Sequence, residues 1–134
     1  MSEEKSVWTY YQYEVGKVYG EKRFAVDDEV LRKWRTVYPL DADNEVMPGG
    51  MLAMVVLDAI MFFHTPRPPG GVHAGQSFEV LRMPRVGDEL VTEVKCLEKE
   101  IKKDRKFVRV QTTTRHGQTG EVMFKGVMTT IVAI

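Results

Sequence analysis

The chain has 134 residues, and its 19 basic and 19 acidic side chains give a formal net charge of zero. This length suits one domain with one core and leaves no room for a separate cofactor-binding domain, so we predict a single domain over residues 1–134 and no cofactor. No long block of one charge sign occurs, which argues against a nucleic-acid partner. The single cysteine, Cys96, excludes an internal disulfide and a zinc site built from cysteines.

Targeting and membrane signals are not found in the sequence. The N-terminal stretch MSEEKSVWTYYQYEVG has no basic start followed by an apolar core, so no signal peptide is predicted. The apolar run at 49–63 is too short to span a bilayer and contains Asp58. Together with the lone cysteine, these features predict a cytoplasmic protein with no membrane partner.

The first half of the chain predicts one strand followed by two helices. Aromatic and valine-rich pieces at 7–26, broken at Gly16 and Gly20, indicate an irregular entry and a first strand. Asp27 is a predicted N-cap for DEVLRKWRTVY, a short amphipathic helix that ends before Pro39. After the loop YPLDADNEVMPGG, the segment GMLAMVVLDAIMFF is apolar on nearly every side, which predicts a buried helix.

The second half changes to the two-residue period of strands. After the proline-rich loop HTPRPPGG, one strand begins at Val72, and three more are predicted at 90–96, 107–114 and 122–134. The turns between them read MPRVGD, KKDRK and RHGQTG. A long buried helix followed by an antiparallel meander predicts an α+β hotdog domain, in which a curved antiparallel sheet wraps around one central helix.

The segment GGVHAGQSFEVLRMPRVGDELVTEV, residues 70–94, carries a family resemblance. It resembles the histidine-led strand, Arg-x-Pro-x-x-x-Gly-Asp turn and following strand of MaoC-like dehydratase and hydratase domains, especially the N-terminal half of fatty-acid-synthase-type dehydratases. The stretches YEVGKVY and KFVRVQTTTRHGQTGEVMFKGVMTTIV are similar to the same family. The resemblance implies an acyl-CoA or acyl-carrier thioester ligand, a role in fatty acid metabolism and, if the chain is active, a hydro-lyase of the enoyl-CoA hydratase or dehydratase type.

The catalytic pair of that family is not found in the expected loop. Its hydratases use an aspartate and a histidine five residues apart, in a pattern like Asp-x-Asn-Pro-x-His, to activate water. Here the loop reads DADNEVMPGG, with Val46 five residues beyond Asp41 and Pro48 five residues beyond Asp43. The resemblance includes degenerate hotdog subunits that bind the acyl chain while a complete partner performs hydration. We therefore predict a homodimer, or a heterodimer with a second hotdog subunit, that pairs through the strand starting at Val72.

Two residues are the candidates for catalysis. Asp58 is a carboxylate in an apolar helix, so it needs a partner or a cleft; it is either structural or the general base of a hotdog thioesterase. His73 stands at the head of its strand, on the same face as Gly75, and either bonds a nearby carbonyl or marks the mouth of an acyl groove.

The predicted substrate-binding residues lie in the loop, at the start of the buried helix and along the following strand: Asp43, Asn44, Gly49, Gly50, Met51, Gly75, Gln76 and Arg82. Gln76 stands where the family has the last residue of its His-x-x-Gln strand start, and Arg82 is a candidate contact for a coenzyme A phosphate. The methionines on and before the helix fill the core or line an adaptable acyl tunnel. The loop acids lack the closing ligand of a calcium site, so no metal is predicted.

For the other two histidines, the sequence predicts structural and not catalytic roles. His64 ends the buried helix, where a donor satisfies terminal carbonyls. His116 lies in the predicted RHGQTG turn and is expected to be solvated.

Overall fold

The computed structural model describes residues 7–43 and 45–133. Its elements in chain order are a 3-10 turn at Tyr10–Gln12, then β1 (Val18–Ala25), α1 (Asp28–Val37), α2 (Met51–Phe63), β2 (Val72–Val80), β3 (Glu89–Lys102), β4 (Arg105–His116) and β5 (Val122–Val132).

The strands form one antiparallel sheet in the order β1-β3-β4-β5-β2. Strands β3, β4 and β5 form a meander, as predicted, but β2, the first strand of the predicted four-strand meander, pairs with β5 and not with β3. Strands β1 and β2 therefore lie at opposite edges. Register shifts interrupt both edge strands, between Val18 and Gly20 in β1 and between His73 and Gly75 in β2. Such bulges increase the local twist of a strand. The predicted α+β architecture, a curved sheet around one central helix, is confirmed.

Helix α2 packs one face against the sheet, next to β1 and β3. Its buried residues recur in pairs one helical turn apart: Met51 and Leu52, Val55 and Val56, Ala59 and Ile60. The predicted buried helix is confirmed on this face, whereas the sheet leaves the opposite side open. Met61 and Phe62 on the outer side are 43% and 62% exposed. This outer face is therefore apolar surface that the sheet leaves open.

Helix α1 covers part of that outer face. The side chain of Asp27 accepts a hydrogen bond from the backbone N–H of Val30 at 2.9 Å, which confirms the predicted N-cap. Leu31 is buried, and the ring of Trp34 lies so close to Gly50 that an added Cβ would come within 2.8 Å of it. Within the described ranges, no helix has both the length and the apolar character needed to cross a membrane.

Candidate functional site

A groove runs between α1 and α2 and has a volume of about 400 Å³. We call it the helical groove; its lining is Phe24, Val30, Lys33, Trp34, Val37, Tyr38, Met54 and Asp58. A shallower depression of about 500 Å³ over α2 shares three of these residues and adds Gly50, Ala53, Leu57 and Met61. Most of these side chains are apolar, so the two hollows offer water-accessible surface that suits an apolar ligand.

Asp58 lies where both hollows meet. Its Oδ2 accepts a hydrogen bond from Lys22 Nζ at 3.1 Å, and the same ammonium donates to the Arg23 carbonyl at 3.2 Å. The side chain of Asp58 remains 39% exposed. The structure thus gives this carboxylate both a charged partner and an opening to the groove, either of which meets the need of a carboxylate on an apolar helix. The arrangement suits a polar contact with a ligand, and it leaves the second carboxylate oxygen without a bond to Lys22.

The loop before α2 forms a separate pocket of about 280 Å³, at the position where the resemblance places the hydratase pair. Trp34 Nε1 donates to Asp41 Oδ2 at 2.9 Å. Asp43 Oδ1 accepts from the backbone N–H groups of Glu45 and Val46 at 2.7 and 3.1 Å, and these bonds hold the pKa of Asp43 below its usual value. Both loop carboxylates are therefore used to shape the loop.

The remaining predicted residues of this region differ in their exposure. An added Cβ at Gly49 would meet nothing within 4 Å, so the backbone there is open, whereas Gly50 lies under the Trp34 ring. Met51 differs from the prediction of a substrate-binding residue. Its side chain is fully buried in the core, and its N–H donates to the Pro48 carbonyl. Asn44 lies outside the described residues. Among the residues that the structure describes, no histidine lines this pocket, the helical groove or the depression over α2.

The other predicted residues lie on or beside β2. His73 is exposed, and Gly75 follows it across the bulge. Gln76 Nε2 donates to the Ser77 carbonyl at 3.2 Å, and Arg82 forms an ion pair with Glu121 at 3.1 Å. The partner of Asp58, Lys22, is on β1 at the opposite edge of the sheet. One chain therefore does not bring the two predicted catalytic residues together.

The prediction that His116 is solvated was wrong, because its side chain is mostly buried and both ring nitrogens form hydrogen bonds. Its Nδ1 accepts from the backbone N–H groups of Gln118 and Thr119 at 3.2 and 3.3 Å, so Nε2 carries the proton and donates to Asp88 Oδ1 at 3.2 Å. An imidazole with its only lone pair engaged has no free site to accept a proton as a general base. This Asp–His pair ties two turns together and is not a substitute for the missing hydratase pair.

His64 is the buried histidine that the sequence did not predict. It is fully buried among three rings, with its centroid 4.9 Å from Trp8, 4.9 Å from Tyr13 and 4.6 Å from Tyr19. Burial lowers the pKa of His64 to about 4, and the charge of Arg67 adds to this shift. The prediction that its ring serves the carbonyls at the helix end was wrong; the His64 carbonyl instead accepts a bond from Arg67 Nε at 3.0 Å. Aromatic residues clustered at 8–19 were the only signal for this environment.

Comparison with known proteins identifies the fold. The chain is similar to the (R)-hydratase PhaJ1 of Pseudomonas aeruginosa in its unliganded form, with a TM-score of 0.69 and 24% identity over 94% of this chain and 86% of that one. A MaoC-like dehydratase from Rhodospirillum rubrum gives a TM-score of 0.73 and 21% identity over 92% and 95%. The chain has the hotdog fold.

A third similar structure is a complex of two proteins. The C-terminally truncated HadBC complex of Mycobacterium tuberculosis, a 3R-hydroxyacyl-ACP dehydratase, gives a TM-score of 0.66 and 16% identity over 87% of this chain and 96% of that one. No protein-family model matches the sequence, and a search of curated proteins gives no significant match. At these identities the hotdog likeness concerns the fold, and the resemblance to MaoC-like domains is confirmed at that level.

Proposed function

We propose that the chain binds an acyl thioester, either an acyl-CoA or an acyl group on a carrier, with the acyl chain in the helical groove. The observation that carries this proposal is the groove itself, an apolar channel between two helices with one ion pair, Lys22–Asp58, at its side. An alkyl chain gains about 0.8 kcal/mol for each CH₂ that such a surface removes from water. The similarity to an (R)-hydratase and to two dehydratases supports a thioester as the ligand class.

Hydration or dehydration, in this proposal, depends on a second hotdog subunit. The loop that would hold the Asp/His pair has Val46 and Pro48 at the spacing of the histidine, and its acids are bonded within the loop. The exposed edge of β2 is the surface through which we expect the partner, another copy or a different hotdog chain, to pair. The two-protein composition of the HadBC complex supports an assembly of this kind.

Thioester hydrolysis is the second candidate, favoured by the position of Asp58. Within residues 7–43 and 45–133, it is the only carboxylate that lines the helical groove and the depression over α2. A base in that place would activate water next to a thioester bound in the groove. Its ion pair with Lys22 also suits a structural role.

Binding and both reactions are measurable on the purified chain. Trp34 lines the groove, so its fluorescence should change as saturated acyl-CoAs of increasing length bind, and affinity should rise about fourfold per CH₂ until the groove is full. Crotonyl-CoA and longer enoyl-CoAs should keep their enoyl absorbance with the purified chain if the second subunit is a different protein, and should lose it if two copies of this chain suffice. Release of free thiol that follows Asp58 would instead establish the thioesterase.

Two matched variants locate the acyl chain. Val37 lines the groove and is 68% exposed, whereas Ile101 is 57% exposed at the far end of β3, so Val37→Asn and Ile101→Asn change similar surface areas. Only Val37→Asn should flatten the dependence of affinity on chain length. Equal affinities for all lengths in the unmodified chain, or equal losses in both variants, would place the ligand elsewhere.

A further inference from the structure

Three residues line both the helical groove and the depression over α2, so they form the border between these two hollows. Met54 and Asp58 stand about one turn apart on α2, and Trp34 comes from α1. We call this border the Trp34 ridge. The groove of about 400 Å³ lies on one side of it, and the depression of about 500 Å³ lies on the other. An elongated ligand in the groove therefore either ends at the ridge or crosses it.

The indole of Trp34 is the part of the ridge that its neighbours hold in place. Its Nε1 donates to Asp41 Oδ2 at 2.9 Å, and its ring lies beside that of Tyr38, with the centroids 4.5 Å apart. A Cβ added at Gly50 would come within 2.8 Å of the indole, so the ring spans the distance from α1 to the start of α2. Met54, in contrast, is an unbranched side chain that adapts its shape to a neighbour. The indole therefore sets the height of the ridge.

The loop before α2 keeps Asp41 in position for its bond to the indole. Arg35 Nε donates to the Asp41 carbonyl at 3.0 Å, and Arg35 Nη2 donates to the Asp43 carbonyl at 2.5 Å. Rotation of the Trp34 ring would leave its partly buried N–H without this acceptor, which is unfavourable. The ridge is therefore a fixed partition between the two hollows.

Apolar surface continues along α2 on the far side of the ridge. Gly50, Ala53, Leu57 and Met61 line the depression and recur three or four positions apart, which places them on one face of the helix. At 1.5 Å per residue, this face extends for about 16 Å. Gly50 and Ala53 add little or no side chain, so the surface stays low next to the indole. An alkyl chain that crossed the ridge would thus find further apolar surface to cover.

We propose that Trp34 is a specificity-determining residue that limits the length of the bound acyl chain, an inference that rests on the proposed thioester function. An acyl chain gains affinity from each CH₂ that the groove removes from water, and this gain ends where the indole blocks its path. Longer chains gain no further affinity, because their last carbons stay in water. Without the indole, the groove and the depression form one continuous apolar surface.

Calorimetric titration with saturated acyl-CoAs of increasing length tests this role, because the heat of binding does not depend on the fluorescence of the residue that is changed. In the unmodified chain, affinity should rise about fourfold per CH₂ up to a break point and then stay constant. In Trp34→Leu, the rise should continue beyond that break point with the same fourfold step. Trp34→Phe keeps a ring beside Tyr38 but shortens the side chain, so its break point should lie between the other two.

Tyr11→Leu is the matched control. Tyr11 is 69% exposed and lies outside both hollows, so this variant also replaces a surface aromatic ring with leucine but should keep the break point of the unmodified chain. An equal shift of the break point in Tyr11→Leu and Trp34→Leu would overturn the proposal, because the effect would then be a general one.

The break point also separates this inference from the proposed function. Equal affinities for all chain lengths in the unmodified chain would overturn the thioester function and the role of Trp34 together. A break point at the same length in the unmodified chain, Trp34→Phe and Trp34→Leu would overturn the role of Trp34 alone. Urea denaturation of each variant measures whether it folds, and the more conservative Trp34→Phe keeps the comparison available if Trp34→Leu does not.

Discussion

Acidification should destabilise the chain through one buried imidazole, that of His64. Its ring is fully buried, and burial holds its pKa at about 4, below the ordinary value of 6.5. Between these two values the unfolded chain binds a proton that the folded chain does not bind. Stability that is present above pH 6.5 is therefore lost as the pH falls through the folded pKa.

The size of this loss follows from the two pKa values. One pKa unit corresponds to about 1.4 kcal/mol, so the shift from 6.5 to about 4 corresponds to a loss of about 3 kcal/mol between neutral pH and pH 4. This is a large fraction of the stability of an ordinary domain. In the described part of the chain, the groups that face the ring are Trp8, Tyr13, Tyr19 and Arg67, none of which is a carboxylate that would stabilise the charged form.

Urea denaturation at a series of pH values measures the effect. His64→Phe keeps an aromatic ring and removes the titrating group, so subtracting its pH dependence from that of the unmodified chain removes the contribution of the carboxylates. The difference should be flat above pH 6.5 and should fall by about 3 kcal/mol toward pH 4. Identical pH dependence in the two proteins, or an NMR titration that places the pKa of His64 near 6.5, would refute the reasoning.

Three further predictions concern the proposed thioester site. Asp58→Asn should leave acyl-CoA binding intact if the carboxylate is structural, whereas a loss of thiol release by about two to four orders of magnitude, at unchanged melting temperature, would make it a general base. His73→Ala should weaken acyl-CoA binding by about 1 kcal/mol, the scale of one hydrogen bond, as measured by calorimetry; a thousandfold loss of turnover at unchanged affinity would contradict this. Light scattering at micromolar concentration should detect a dimer paired through β2, and a proline at Ser77 in that strand should weaken the dimer; a monomeric unmodified chain would argue against this interface.

Local sequence signals predicted most of the fold. Asp27 marked the start of α1 because an N-cap needs only a side-chain oxygen three residues before a free N–H. The alternation of apolar residues predicted the four later strands, although β3 and β4 extend to Lys102 and begin at Arg105, beyond the predicted ends. The turn residues Lys103 and Asp104 adopt positive φ, which allows a tight hairpin to carry the pairing through a charged segment with no apolar alternation.

The errors arose where tertiary contacts decide the environment of a residue. The composition of α2 shows how apolar the helix is, but not that the sheet covers only one of its faces. His64 follows an apolar helix and precedes prolines, and its sequence neighbours give no sign that Trp8 and Tyr13 close over it. His116 has a turn sequence typical of solvated residues, but Asp88, which is 28 residues earlier, partners its ring. Contacts between distant segments cannot be read from local patterns.

The three imidazoles limit how an assembly of this chain could hydrate an enoyl thioester. His64 is enclosed by rings, and His116 uses its lone pair on the backbone and its proton on Asp88. A homodimer adds only second copies of the same three groups, so a homodimer that hydrates with an imidazole has to use His73, the exposed one. A heterodimer can take the complete pair from its partner. His73→Ala thus separates the two assemblies. Hydration that persists with weaker binding, the result we expect, requires a heterodimer, whereas abolished hydration at unchanged affinity would make His73 of a homodimer the catalyst and contradict the binding role.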